Sequence, residues 1–319
     1  MSEPLRQHAV FDVASWEYDS EFAKFPQGAR AKDAFIAPAF PTESVLVGGK
    51  RYLFKRSRKV YADQFWCEVI AYRFGCLLGL DVPPAFAAFN SDTGHSGTII
   101  EWFYVDGREA FQSGGDILQA TVQKDIDRAK GKLHNLKNNA LLSRVMSQNH
   151  LLASGWQQWW VDALLFDALI GNRDRHQDNW GFVVSGPQPP IFRFAPLFDN
   201  GTSLGHELLL KKVQRWQSTD FERYTRKGTH HIQWSLDDPI PRRGHSELLS
   251  LAFLEWPGTK EVALGRISGL EVEDFRLALM DLPVLESPHA SFVHLSTARL
   301  DFLLNLIEMR LHNLKVLLS

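Results

Sequence analysis

The chain has 319 residues, of which 45% are hydrophobic and 23% charged, and its formal net charge is −2. This balance excludes an intrinsically disordered chain and is typical of a folded protein with one large or two smaller domains. A near-neutral chain has no overall positive field, so we expect no direct binding to nucleic acid.

Cysteine usage and hydropathy bear on the compartment. Cys67 and Cys76 have the spacing of neither a disulfide framework nor a metal site, which favours two buried thiols in a reducing compartment. The first twenty residues are partly acidic and have no long apolar core, so they do not resemble a signal peptide. No apolar run reaches the about 18 residues of a membrane span. We expect a cytoplasmic protein without a membrane segment; secretion by a route that needs no such signal stays open.

Strand signals dominate the chain up to about residue 105. Ser44–Lys55 predicts a β-hairpin around Gly48-Gly49, and Lys55 ends its returning strand. A lysine at this position can reach nucleotide phosphates as a compact point charge. The segment Ala62–Leu80 has helical spacing, and Glu68 lies on it thirteen residues after Lys55.

The character of the chain changes near Val105-Asp106-Gly107. Before this point Ala85–Asn90 and Thr98–Tyr104 predict two strands, and after it helical patterns prevail. We therefore predict an α+β fold with a sheet-rich lobe at 1–105 and a helical lobe at 106–319. A central buried helix is predicted at Leu151–Ile170, and the role predicted for its Asp162 and Asp167 is to anchor the loop that follows.

That loop reads GNRDRHQDNWG at 171–181 and leads into a predicted hairpin that ends at Asp199-Asn200-Gly201. Asp174 and Asn179 are five residues apart, the separation at which protein kinases hold a proton-accepting Asp and a magnesium-binding Asn. Asp199 follows the hairpin and would supply a second hard oxygen for Mg²⁺. Each piece alone also fits an ordinary solvated loop or turn, but their order and spacing favour a phosphotransfer site.

GNRDRHQDNWG and the later APLFDNG resemble the catalytic and metal-binding segments of HipA-like kinases, relatives of the phosphatidylinositol 3/4-kinase superfamily. The resemblance implies a two-lobed protein-kinase-like fold that binds ATP and Mg²⁺ in the cleft between its lobes. It implies that Asp174 is the catalytic aspartate and that Asn179 and Asp199 bind magnesium. Glu68 would pair with Lys55. His176, two residues after Asp174 rather than two before it as in ordinary kinases, is a further catalytic candidate.

The same resemblance implies further nucleotide contacts. Phe25–Lys32 is similar to a Gly-Ala-Arg-Pro-Lys segment of the family, with Ala31 in place of Pro, which makes Arg30 and Lys32 candidate nucleotide ligands. Ile100–Tyr104 takes the position of the kinase hinge, where the backbone of Glu101 and Phe103 would meet adenine and Asp106 the ribose. The serine-bearing nucleotide loop that some members autophosphorylate is not recognisable.

The activity that the resemblance implies is phosphorylation of a protein serine or threonine, with a toxin of a toxin–antitoxin pair, and hence an antitoxin-type protein partner, as one biological role. Two alternatives stay open. A lipid kinase shares an Asp-Arg-rich loop ending in Asp-Asn-Trp, but the chain has no evident basic amphipathic helix or lipidated cysteine cluster. A non-catalytic nucleotide-binding scaffold is disfavoured because Asp174, Asn179 and Asp199 are all present.

Residues 202–238 occupy the place of an activation or substrate-docking segment. Their basic side chains would suit an acidic substrate or a phosphate, but the pattern favours a solvated face; they are Lys211, Lys212, Arg223, Arg226 and Lys227. His230-His231 has no partner at metal spacing, so we predict no metal there.

Overall fold

The computed structural model describes residues 3–20, 32–122, 134–152, 155–186 and 190–319. Its architecture mixes helices and strands, as predicted. The strands are β1 (Phe11–Asp12), β2 (Glu17–Tyr18), β3 (Lys32–Ile36), β4 (Arg51–Arg56), β5 (Ala85–Asn90), β6 (His95–Glu101), β7 (Glu109–Ser113), β8 (Gly181–Ser185) and β9 (Ile191–Phe194). The helices are α1 (Trp66–Leu78), α2 (Gly114–Val122), α3 (Leu136–Gln148), α4 (Trp156–Ile170), α5 (Leu210–Val213), α6 (Ser218–Lys227), α7 (His245–Glu255), α8 (Lys260–Ile267), α9 (Val272–Leu279) and α10 (Thr297–Leu318).

The chain forms two compact units. The first unit comprises Met1–Trp102, Asn200–Arg215 and Glu271–Asn305, and the second comprises Phe103–Asp199, Trp216–Leu270 and Leu306–Ser319. The units are therefore interleaved along the chain, whereas the lobes predicted from sequence, 1–105 and 106–319, are continuous.

A six-stranded sheet with the order β1-β5-β6-β4-β3-β2 organises the first unit. Its pairs are antiparallel except for the parallel pair of β1 and β5. Every residue of β5 is buried, and Tyr52 and Phe54 of the central strand β4 are fully inaccessible. Aromatic and β-branched residues give this sheet its core because they pack well on a pleated surface.

The hairpin predicted at Ser44–Lys55 is wrong in its first half. Residues 44–50 form turns, and β4 pairs with β3 and β6 instead. The apolar Val45 and Leu46 are buried as part of a loop that packs on the sheet core. The amides of this loop bond outside any ladder, since the Val47 amide donates to the Tyr52 hydroxyl over 3.0 Å and the Gly49 amide to the Ala37 carbonyl over 3.1 Å.

Helix α1 lies near the predicted segment and ends where a glycine permits it. Gly79 takes a left-handed conformation with φ of 64°, and its amide bonds back to the helix. The helix begins at Trp66 rather than Ala62, because residues 62–65 form a turn. Nearly all of α1 is buried, including Glu68 and Arg73, so its polar residues are held in fixed places.

Helix α4 and a three-stranded sheet, β7-β8-β9, form the centre of the second unit. The hairpin predicted after the polar loop is confirmed as β8 and β9. Trp159 stacks on Phe194 at 4.0 Å between ring centroids, and Trp160 meets Trp180 edge-on at 4.8 Å. These contacts fix the two ends of the polar loop, since α4 precedes it and Trp180 closes it.

Among the described helices, none has the length and apolar character needed to cross a membrane.

Candidate active site

Lys55 and Glu68 form a buried ion pair in the first unit. Lys55 lies on β4, and Glu68 lies in the first turn of α1. Their Nζ and Oε1 atoms are 2.6 Å apart, and the two side chains are only 5% and 3% exposed. Lys32 on β3 is in register with Lys55, so the two lysines emerge on the same face of the sheet. The predicted pair is therefore present, with a second cation beside it in the ladder.

Glu68 makes a second contact that the sequence did not reveal. Its Oε2 accepts a hydrogen bond from the Asn200 amide at 2.9 Å. Asn200 directly follows Asp199, so the carboxylate that holds Lys55 also holds the backbone of the acidic turn. A buried carboxylate is stable only when its oxygens are satisfied, and these contacts supply donors to both.

The polar loop is anchored at its start by Asp167, which is fully buried in α4. Helix α4 ends at Gly171, whose φ of 65° allows the chain to turn away. Asp167 accepts hydrogen bonds from the Asn172 side chain at 3.1 Å and from Arg175 at 2.7 and 3.0 Å. The predicted anchoring role is thus seen for Asp167, whereas Asp162 pairs with Arg266 at 2.7 Å.

His230 completes this buried network. Its Nδ1 accepts from the Ile232 amide, so Nε2 carries the proton and donates to Asp167 over 3.0 Å. Burial opposes ionisation of Asp167, but the Arg175 guanidinium and the His230 hydrogen bond hold the pKa of that carboxyl well below its usual range. Asp167 is therefore an anionic anchor for the loop.

Arg175 ties the loop to the strand that leads to Asp199. It is fully buried, and its Nη1 donates to the Asn179 carbonyl at 3.1 Å and to the Phe198 carbonyl at 2.7 Å. The other side of the guanidinium faces Asp167. The planar guanidinium of Arg175 therefore fixes the backbone on both sides of the β8–β9 hairpin.

Asp174 and Asn179 are held together directly. The Asn179 side-chain amide donates to the Asp174 carbonyl at 2.6 Å, and the Asp174 amide donates to the Asn172 side chain at 3.1 Å. The Asn179 Oδ1 accepts no hydrogen bond from the described part of the chain. Asp174 is half-buried. These two hydrogen bonds hold the Asp174 carboxylate and the Asn179 amide oxygen, five residues apart in the chain, within the loop.

Asp199 has a backbone conformation that is uncommon for a residue other than glycine. Its φ is +56°, in the left-handed region that bulkier residues seldom occupy. The preceding Phe198 stacks on Phe103 at 5.2 Å and meets Phe111 edge-on at 5.4 Å. Asp199 thus lies between the packed ring of Phe198 and the hydrogen-bonded amide of Asn200, and strain of this kind is often found at functional sites.

The remaining predicted residues have mixed surroundings. His176 accepts the Asp178 amide at Nδ1 over 3.1 Å and so helps to shape the loop. Glu101 pairs with Lys50, and the Phe103 carbonyl accepts a 3.0 Å bond from Arg193. Asp106 is exposed in a turn, and Arg30 lies outside the described residues.

Asn179 and Asp199 are suited to magnesium by donor type. Mg²⁺ favours a few carboxylate or amide oxygens completed by phosphates and water, and these residues offer one amide oxygen and one carboxylate. Within the described ranges no three His, Cys, Asp or Glu side chains form a self-sufficient metal site.

Residues 26–244 match the model of the HipA-like C-terminal domain family. The chain belongs to this family. The match spans more than half of this HipA-like chain and includes the lysine–glutamate pair, the polar loop and Asp199. No curated protein sequence matches it closely enough to count as a relative.

Solved structures show which fold this HipA-like chain has. It is similar to the proinflammatory kinase CtkA of Helicobacter pylori, with a TM-score of 0.69 and 17% identity over 97% of this chain and 96% of CtkA. It also matches HipA of Shewanella oneidensis, from a toxin–antitoxin complex with HipB and operator DNA, at a TM-score of 0.48 and 14% identity over 93% of this chain and 68% of HipA. The similarity to CtkA shows a kinase-like fold.

Proposed function

We propose that this protein is a kinase that uses ATP and Mg²⁺ to transfer the γ-phosphoryl group to a serine or threonine hydroxyl of a protein. The observation that carries the proposal is the bridging role of Glu68, which contacts Lys55 at 2.6 Å and the Asn200 amide at 2.9 Å. It connects the predicted phosphate-binding lysine to the acidic turn through a single buried carboxylate. A purely structural pair would not need to join these two segments.

Each side chain has a role in this reaction. Lys55, oriented by Glu68, steadies the nucleotide phosphates, and Lys32 adds positive charge on the same face of the sheet. Asn179 and Asp199 would hold magnesium, which neutralises charge on the phosphates when bound. Asp174 orients the acceptor hydroxyl and accepts its proton while the acceptor oxygen bonds to the γ-phosphorus and the bond from that phosphorus to the departing ADP breaks. Positioning and charge neutralisation provide most of the catalysis.

Family membership and the kinase-like fold shared with CtkA support a kinase, and the choice of a protein acceptor rests on the resemblance of the polar loop and the acidic turn to HipA-like kinases. A lipid kinase must also hold its site against a bilayer, which requires an apolar patch, a basic rim or lipid anchors. The near-neutral charge of the chain favours the protein acceptor.

Labelled ATP distinguishes the acceptors. The purified protein is incubated with Mg²⁺ and [γ-³²P]ATP in three mixtures, containing cell-lysate proteins, the protein alone, or vesicles with phosphoinositides. We expect label on protein, released as phosphoserine or phosphothreonine by acid hydrolysis, and no label when magnesium is chelated. Label confined to extractable lipid would assign a lipid kinase, and no transfer in any mixture would favour the non-catalytic scaffold.

We include in the proposal the biological role that the family resemblance implies, a cytoplasmic toxin neutralised by a protein antitoxin. Expression of the wild-type protein should then arrest growth of a bacterial host, and an Asp174→Asn variant at equal abundance should not. Equal growth of the two strains would argue against the toxin role without affecting the phosphotransfer site.

A further inference from the structure

An open cavity of about 390 Å³ lies at the surface of the second unit, apart from the residues assigned to phosphotransfer, and the side chains of Arg226, Lys227 and Arg242 in its lining are exposed. Its wall combines the end of α6, the beginning of α7 and one face of α10, with Ala168 of α4 at its base. Neither Asp174 nor Asn179 nor Asp199 lines it. The lining is mostly polar and basic, with Thr225, Thr229, Ser246 and Asn313 among its hydrogen-bonding side chains.

The charge around the cavity is strongly positive. Four cationic side chains line it, Arg226, Lys227, Arg242 and Arg310, against a single carboxylate, Glu247. Glu247 is already engaged as a cap, because it accepts a 3.0 Å hydrogen bond from the Gly244 amide. Burial lowers the pKa of His245, also in the wall, to about 4, so this histidine is neutral near pH 7. His245 therefore adds no positive charge to the cavity lining near pH 7.

Arginines near the cavity but outside its lining are paired with carboxylates. Arg243 forms a two-pronged ion pair with Asp238 at 2.7 and 2.8 Å, and Arg223 lies 3.6 Å from Asp220. By contrast, Arg226, Lys227 and Arg242 have no carboxylate within 4.0 Å among the described residues. Like charges that converge on one cavity repel each other, and a bound anion would relieve that repulsion. Carboxylates therefore neutralise Arg243 and Arg223 outside the cavity, whereas the cavity lining keeps a net positive charge.

The donors indicate the class of anion. Arginine forks and hydroxyls suit the several oxygens of a phosphoryl group. The volume lies near the lower end of the roughly 300–1,000 Å³ typical of small-molecule sites, so it suits a compact ligand. We propose that this cavity binds a small, soluble phosphorylated compound that carries one or two phosphoryl groups.

The walls of the cavity contact the loop that carries Asp174. Arg310 approaches the end of α4, with Nη1 3.5 Å from the Leu169 carbonyl, and it packs where a Cβ on Gly171 would lie 1.9 Å from Nη2. His245 bonds through Nε2 to the Asn172 carbonyl at 2.8 Å. Asn172 in turn holds the Asp174 amide. A ligand that orders these walls would therefore stabilise the start of the loop, which makes the cavity an effector site.

Calorimetric titration with inorganic pyrophosphate tests the binding, with chloride used to hold ionic strength constant. We expect saturable binding by the wild-type protein and by Lys55→Met, which separates this cavity from the nucleotide-binding lysine. Arg242→Ala and Lys227→Ala should each weaken the affinity roughly tenfold, the scale of one charge-assisted hydrogen bond. Arg223→Ala, on the same helix but outside the cavity, should bind as the wild type does.

Three results would overturn the assignment: no saturable binding, equal affinity in Arg242→Ala, Lys227→Ala and the wild type, or loss of binding in Lys55→Met alone. Orthophosphate and a phosphoserine peptide distinguish the ligand sources. A peptide that binds more tightly than both inorganic anions would overturn the assignment to a free small compound.

Hydrogen–deuterium exchange tests the coupling to the loop without any measurement of activity. With pyrophosphate at saturation, we expect slower exchange of the backbone amides of 171–174 in the wild type and no change in Arg242→Ala at the same concentration. Unchanged exchange in the saturated wild type would overturn the effector role. Because these readouts do not involve phosphotransfer, their failure is distinguishable from failure of the proposed activity.

Discussion

Glu68 stabilises two segments of the first unit at once, because one carboxylate oxygen contacts Lys55 and the other accepts the Asn200 amide. Truncating one member of a buried ion pair leaves the other charge uncompensated, which typically costs about 3–5 kcal/mol. Replacing both members by neutral groups removes that penalty. The net stability that the pair contributes is therefore smaller than the loss caused by truncating either member.

A double-mutant cycle at this pair measures the coupling. Glu68→Gln and Lys55→Met should each lower the free energy of unfolding by about 3 kcal/mol, and the double variant should lose less than the sum of the two. Urea denaturation gives the three values. The control pair is Lys50 and Glu101, which is more exposed and should couple by about 1 kcal/mol or less. Additive losses at Lys55 and Glu68 would contradict the ion-pair account.

At the residue scale, the sequence indicates candidate site residues where chemistry imposes a local spacing. The separation of Asp174 and Asn179 is visible in the chain, and the structure joins these residues through a 2.6 Å hydrogen bond. The Asp167–His230 contact joins residues that are 63 positions apart in the chain, and no local sequence pattern at either residue predicts it. Arg175 is adjacent to Asp174, but the sequence alone does not distinguish a buried arginine from a solvent-exposed one.

At the scale of elements, the polar loop is held more by the buried guanidinium of Arg175 than by regular secondary structure. Arg175 contacts Asp167, Asn179 and Phe198, so it fixes both ends of the loop–hairpin segment. A lysine cannot reproduce this planar, multidentate geometry. The placement of the loop should therefore depend on arginine at this position and not only on positive charge.

Arg175→Lys tests this dependence. We expect a loss of about 2–4 kcal/mol in the free energy of unfolding, because the carbonyls of Asn179 and Phe198 lose their donor in a buried setting. Turnover with ATP should also fall, by at least about tenfold, since misplacement of the reacting groups is costly. Arg144→Lys, the same substitution at an exposed position of α3, serves as the control and should change neither quantity. Wild-type turnover in Arg175→Lys would show that the loop is positioned by other contacts.

Element prediction was reliable where pattern and turn residues agreed. Two apolar segments on either side of Ser185-Gly186-Pro187 predicted β8 and β9, and antiparallel pairing bears this out. The same logic failed at Gly48-Gly49, because Val45 and Leu46 are apolar for packing and not for pairing. β4 pairs instead with β6 and with β3, and the sequence analysis predicted no strand at Lys32–Ile36.

At the scale of the whole molecule, one buried and two half-buried histidines make stability depend on pH. Burial lowers the pKa of His134 well below its usual range and the pKa values of His231 and His245 to about 4. In the unfolded chain these groups titrate near about 6.5. Between these values the unfolded state binds protons that the folded state does not, so stability falls as the pH decreases from about 6.5 towards 4.

Urea midpoints measured from pH 7.5 to 5 test this expectation. Each such histidine contributes a slope of at most about 1.4 kcal/mol per pH unit. His245→Gln should make the pH dependence shallower, while His312→Gln, exposed on α10, should leave it unchanged. A slope that is the same in all three proteins would mean that His245 is protonated equally in both states.

In the proposed reaction Asp174 accepts the proton of the acceptor hydroxyl. Asp174→Asn keeps the size of the side chain and leaves the backbone contacts to Asn179 and His176 in place. The direct measurement is single-turnover transfer from labelled ATP with Mg²⁺, made beside a nucleotide-binding titration on the same preparation. We expect Asp174→Asn to bind ATP with near wild-type affinity and to transfer the phosphoryl group roughly 10² to 10⁴ times more slowly. Transfer at a near wild-type rate by the variant would contradict this role of Asp174.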